Sequence, residues 1–217
     1  AGARGLAMGG AVISNQNDVY APMWNPAGLT EVESDWQGAA MHAEYFESIA
    51  KYDYISFAKA LDSKDGVLGI SIVRLGVDNI LNTTQMIDSE GNIDYDKISK
   101  FSTSDYAGII SYAFRPGGNQ KLSVGINAKI VYRNIGKFAN GFGFGFDAGA
   151  IYRADSGYQF GAMLRDATTT VNFWSINQKE LSAVVNGEEF NPAPKDKMEI
   201  TMPKLNLGVS KNFEINR

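Results

Sequence analysis

From residue 36 onward the chain alternates apolar and polar positions with a period of two. In the run from Lys121 to Asn134, Leu122, Val124, Ile126, Ala128, Ile130 and Tyr132 fall on one face. Lys121, Ser123, Gly125, Asn127, Lys129, Val131 and Arg133 fall on the other. Only strand geometry separates the two sets this way. The run exceeds the ~5–6 residues of a common globular strand, and it suffices for the ~9–11 tilted residues that cross a bilayer. The same pattern predicts strands near 36–46, 51–61, 66–78, 104–115, 121–134, 142–153, 158–165 and 204–213.

Two of these strands have distinctive faces. Tyr106, Gly108, Ile110, Tyr112 and Phe114 share one side of their strand. Phe142, Phe144, Phe146, Ala148, Ala150 and Tyr152 oppose Gly143, Gly145, Asp147 and Gly149, whose small side chains leave room within a barrel. The Gly-Phe alternation at 141–146 therefore reads as strand, because a phosphate-binding glycine loop would have to open a helix. Connections at 62–65, 116–120 and 154–157 are tight, while those at 79–103 and 166–203 are long. The connection at 135–141 is intermediate, and the short one at 47–50 departs from the trend. Short turns at one end and long loops at the other are the arrangement of an antiparallel transmembrane β-barrel. Aromatics at strand ends (Tyr45, Phe46, Tyr52, Tyr54, Tyr106, Phe114, Tyr132, Phe142, Tyr152, Tyr158 and Phe213) are expected to form interfacial girdles.

Composition sharpens this picture only in part. Mean hydropathy is -0.19, and no apolar run approaches the ~18 residues of a membrane helix. A β-barrel keeps such ordinary averages because its two faces differ. Net charge of -4 gives no basic footprint for nucleic acid, and the absence of cysteine removes disulfides and thiolate chemistry. His42 is the only histidine, so no histidine cluster can hold a metal, and no cofactor or enzymatic activity is expected. Asp88, Glu90, Asp94 and Asp96 crowd the first long loop, but their glycine is wrongly spaced for an EF-hand and a solvated acidic loop is expected. Phe173 and Trp174 are placed in the second long loop, either offered to a partner or packed over the barrel mouth. With the acidic four they are the candidate partner-binding residues. Lys121, Lys129, Arg133, Asp147, Arg153 and Arg165 are expected inside the barrel or at strand ends, paired with one another or with a plug.

Residues 1–35 do not fit the alternation. They are rich in glycine and alanine, and they contain Asn25-Pro26-Ala27-Gly28-Leu29. Pro22 and Pro26 lack backbone donors, and Gly28 permits a left-handed turn. The segment is thus expected to fold back into the lumen as a plug, with Asn25 bonded to backbone. Gly5, Met8, Gly9 and Gly10, followed by Asn25 through Leu29, resemble the start of the FadL-like outer-membrane proteins, most closely the PorV/PorQ branch. The resemblance implies an all-β barrel of about fourteen strands in the outer membrane, with a lumenal N-terminal segment. It implies a component of the type IX secretion system of Bacteroidetes, which partners the translocon barrel and receives cargo carrying a C-terminal sorting domain. The alternative it implies is a FadL-like channel for hydrophobic compounds. A soluble lipocalin-like barrel, with inside and outside exchanged, is the third reading. Only about eight strands are legible in 36–217. Eight strands enclose just enough space for side chains and none for a plug, so further strands are expected in the whole barrel.

Overall fold

The computed structural model describes residues 2–61, 66–88, 90–185, 188–190, 194 and 197–213. The predicted tight turn at 62–65 lies outside them. Eight long strands follow the sequence reading closely: β1 (Trp36–Tyr45), β2 (Ala50–Ala60), β3 (Gly66–Asn82), β4 (Ser99–Phe114), β5 (Leu122–Ile135), β6 (Ala139–Arg153), β7 (Tyr158–Arg165) and, last, Lys204–Lys211. The second long connection is not the plain loop expected. It contains β8 (Thr170–Ile176), the short β9 (Ala183–Val185) and β10 (Glu188–Phe190), and β11 (Met198–Thr201), which makes the final strand β12. β9 and β10 pair only with each other.

All pairings are antiparallel, in a sheet of ten strands. β7 and β8 both pair with β6, at Ala148–Arg153 and Ala139–Phe144 respectively. They are therefore one row, broken at residues 166–169, where Asp166 and Thr169 take positive φ of 51° and 64°. β11 and β12 form the next row, broken at Met202-Pro203. Ten segments thus make eight rows. The sheet is not closed: β1 and β12 each keep one edge without a strand partner among the described residues.

The two faces are inverted relative to a water-soluble protein. On most strands the larger apolar side chains are exposed: Ile72 at 55%, Ile130 at 55% and Phe144 at 50%. The opposite face, mostly small or polar with a few larger apolar side chains such as Ile109, Ile151 and Met163, is buried: Ser71, Ser111, Ser123 and Asn127 are fully enclosed. At about half exposure each such apolar side chain would forfeit roughly 1 kcal/mol in water. A dozen or more of them amount to on the order of 10–20 kcal/mol, comparable to the whole stability of a typical domain. This face requires a cover. On β5 it runs from Leu122 to Tyr132, which at ~3.4 Å per residue and a ~45° tilt spans ~24 Å, close to the ~25 Å apolar band of outer-membrane barrels. Beyond Tyr106 and Tyr132 the outer face turns polar. Arg74 donates to Asp53 at 2.9 Å, and Asp53 meets His42 at 2.6 Å.

Most of the predicted girdle aromatics are exposed; Phe114 is half-buried, and two others turn away from the apolar face. Tyr54 is fully buried on the opposite face and stacks on Tyr20 at 5.3 Å, and Tyr52 packs beside it. Their even positions on β2 place them with Ser56 and Ala58, whereas Ile55 and Phe57 point outward.

Candidate functional site

The buried face of the sheet receives residues 2–33. This stretch forms α1 (Ala3–Ala7), α2 (Ala21–Trp24) and a 3-10 helix at Pro26–Glu31. Asn25 organises the docking. Its extended backbone, φ -158° and ψ 108°, starts the 3-10 helix, and its Oδ1 accepts from Ala27 N at 3.2 Å. Its Nδ2 donates to Ile13 O at 2.9 Å, Ala150 O at 3.1 Å and Ala162 O at 3.3 Å. One side chain therefore ties the segment to itself, to β6 and to β7. Pro26 suits the first helical position because no donor is needed there. The Pro22 carbonyl accepts from Asn127 Nδ2 at 2.9 Å.

The approach is close enough to demand glycine. A Cβ on Gly125 would lie 2.4 Å from Ala27 N, and one on Gly149 would lie 2.1 Å from Asn25 Oδ1. Gly28 answers from the segment's side, where a Cβ would meet Gln16 O at 2.2 Å. Gly28 is thus needed for space. The left-handed turn belongs to Gly9 and Gly10, at φ 60° and 83°, which follow α1 at the exposed edge of the segment. Ala27 and Leu29 are fully buried, Leu29 in a cluster with Val19, Ala21, Ala58, Val67 and Ala113. Thr30 Oγ1 and Ser123 Oγ share a hydrogen bond of 2.7 Å. Arg115 and Arg153 converge on Glu31 at 2.6 and 2.8 Å.

A second polar group lies on the same face at the break between β7 and β8. Lys129 Nζ meets Asp147 Oδ1 at 2.7 Å and Asp166 Oδ1 at 2.6 Å. Asp166 N donates to Asp147 Oδ1 at 2.9 Å, and Asn127 Nδ2 donates to Asp147 Oδ2 at 3.1 Å. The inward charges expected from the sequence are therefore paired. Arg133 joins Asp105 and Glu199, Lys121 joins Asp155, and Arg165 donates to Met23 O. Sequence reasoning missed Glu31, Arg115 and the serines Ser56, Ser71 and Ser111. The serines were signalled as small polar residues at every second position, but only the fold tells which face is enclosed; Glu31 and Arg115 carried no such signal.

The candidate loop residues are divided. Asp88 accepts from the backbone of Glu90 and Asn92 at 2.9 Å and from Asn92 Nδ2 at 3.1 Å, closing a tight turn. The Asn92 side-chain amide and backbone hold its carboxyl below the usual range. Asp94 caps the turn at Tyr95–Lys97 through Asp96 N. Glu90 and Asp96 are exposed. Among the described residues no three His, Cys, Asp or Glu are grouped to hold a metal. Phe173 and Trp174 are not loop residues: both lie on β8 and face opposite ways. Phe173 pairs with Phe142 on the exposed apolar face. Trp174 covers Gly141 on the inner face, donates to Glu199 at 2.9 Å and receives Arg133 over its ring at 5.1 Å. Beside it an apolar cavity of about 370 Å³ is lined by Ile135, Phe138, Ile176 and Leu181.

Comparison with known proteins gives no matching family model and no matching curated sequence.

Proposed function

We propose that the chain forms wall and plug of a FadL-like outer-membrane β-barrel and serves type IX secretion as a non-enzymatic partner of the translocon barrel, receiving cargo with a C-terminal sorting domain. The observation that carries the reading is the inversion of the sheet, apolar face outward and polar face filled by the segment that resembles PorV/PorQ starts. In a bilayer the free edges of β1 and β12 need strand partners, since each unpaired backbone group in lipid costs several kcal/mol. Further antiparallel strands closing the sheet meet that need.

The anchoring of the segment favours a partner over a conduit. Asn25, Thr30 and Glu31 are held by buried hydrogen bonds and ion pairs to three strands and the Arg115 turn, so the lumen is obstructed by a fixed structure. The test is affinity purification of the tagged protein from detergent-solubilised outer membranes. Recovery of a very large barrel protein or of sorting-domain cargo is expected. Repeated recovery of the protein alone overturns the secretion role. The apolar cavity beside Trp174 supports a second reading, a channel for hydrophobic compounds. Lipid analysis of the purified protein separates the two, because a channel of this kind enriches an apolar ligand over the surrounding membrane.

A further inference from the structure

The exposed face bears a groove that a uniform wall does not need. Across β5, β6, β7 and β12 a depression of about 350 Å³ opens on the apolar side. Its floor is the cross-strand pair Ala150 and Ala162, and Leu122, Tyr152, Phe160 and Leu207 rise around it. The aromatic row of Tyr152 and Phe160 separates this floor from the short-turn end. Two residues further along the register, Tyr158 faces Lys211. Lys211 Nζ stands 4.6 Å from the Tyr158 ring centroid and 5.1 Å from that of Phe213. No carboxylate pairs with Lys211 among the described residues, whereas Lys121 at the same end is held by Asp155 at 2.6 Å.

A cation bracketed by aromatic rings at the mouth of an apolar groove matches an amphiphile with an anionic head. We infer that the groove holds one acyl chain of a phospholipid, its phosphate against Lys211. The inference rests on the apolar face being the membrane face. Lys211, Val209 and Leu207 stand on one side of β12 at steps of ~6.8 Å, so the ammonium base lies ~10 Å from the middle of the groove. That separation suits a glycerophosphate and its first methylenes. The aromatic row keeps the chain next to the wall instead of free in the bilayer. The charge then lies in the headgroup layer on the short-turn side, where snorkelling lysines are stable.

The experiment uses the whole protein purified in detergent and supplied with phosphatidylglycerol, with bound lipid counted by native mass spectrometry. One retained phosphatidylglycerol is expected for the unmodified chain. Lys211→Gln and Ala162→Phe are each expected to reduce retention at least fivefold, while Lys100→Gln leaves it unchanged. Diacylglycerol, which lacks the phosphate, is expected to be held poorly. Lys211 is exposed, so Lys211→Gln reads the site even where Ala162→Phe fails to fold. Equal retention by the unmodified chain and Lys211→Gln, or equal retention of diacylglycerol and phosphatidylglycerol, overturns the site and leaves the membrane reading intact. A protein that partitions into water without detergent overturns both.

Discussion

At the scale of single residues, docking of the N-terminal segment depends on contacts that have no slack. Asn25→Ala removes the donor shared by Ile13, Ala150 and Ala162 carbonyls and the acceptor for Ala27 N. Leaving such buried groups unpaired costs ~1–3 kcal/mol each, so a loss of ~2–4 kcal/mol is expected. Equilibrium urea unfolding of the detergent-solubilised protein measures it, and limited proteolysis should find cleavage within residues 2–33. Gly149→Ala is expected to give the same proteolytic phenotype, because its Cβ would fall 2.1 Å from Asn25 Oδ1. The acidic loop offers a pH test. Asp88 has its folded carboxyl below the ordinary ~3.9, so its contribution to the turn is present above that value and is lost as pH falls through the lowered one. Amide exchange at Glu90 and Asn92, compared with the Asp88→Ala variant, is expected to stay slow below pH ~3.9 and to become fast only at still lower pH.

At the scale of strands, the period of two assigns opposite tasks to neighbouring residues. Ile126→Lys sits mid-band on the exposed face, where a charge costs ~2–4 kcal/mol in a bilayer. The yield of folding into phosphatidylcholine vesicles is expected to collapse for this variant. The broken row of β7 and β8 is a different problem. Its extra residues at 166–169 are held by Lys129, which neutralises Asp147 and Asp166 at 2.7 and 2.6 Å. Lys129→Met strands two carboxylates in an enclosed site, and a loss of ~3–5 kcal/mol is expected from denaturant unfolding. Adding Asp147→Asn and Asp166→Asn should recover part of that loss, since the buried charges are then gone. This break also explains why β8 escaped the sequence reading. Thr170, Asn172 and Trp174 alternate with Val171 and Phe173, but the run is short and begins after a turn-like stretch. A period of two over seven residues is weak beside the fourteen of β5.

At the scale of the whole molecule, the open sheet and the inverted faces make one demand. An apolar wall with two free edges is stable in a membrane only when both edges are paired. On the proposed barrel reading, hydrogen exchange of the protein in lipid vesicles is expected to protect the outward amides of β1 and β12 as strongly as those of β3; fast exchange along either edge would mean that the wall stays open there. The alternation in the sequence determined the strand rows, their antiparallel order, the tight turns at 116–120 and 154–157 and the exceptional character of residues 1–35, because period, turn chemistry and proline placement are local properties. Local properties do not say which face meets water. Leu122 through Tyr132 would read the same in a soluble barrel with its apolar side enclosed. Only the tertiary structure decided that the polar side is enclosed, by laying Asn25, Pro26 and Ala27 against Gly149 and Gly125. It also parted Phe173 from Trp174 and turned Tyr54 inward. Those outcomes depend on pairing between residues tens to more than a hundred positions apart, such as Asn25 with Ala150 and Ala162, and no short stretch of the chain encodes them.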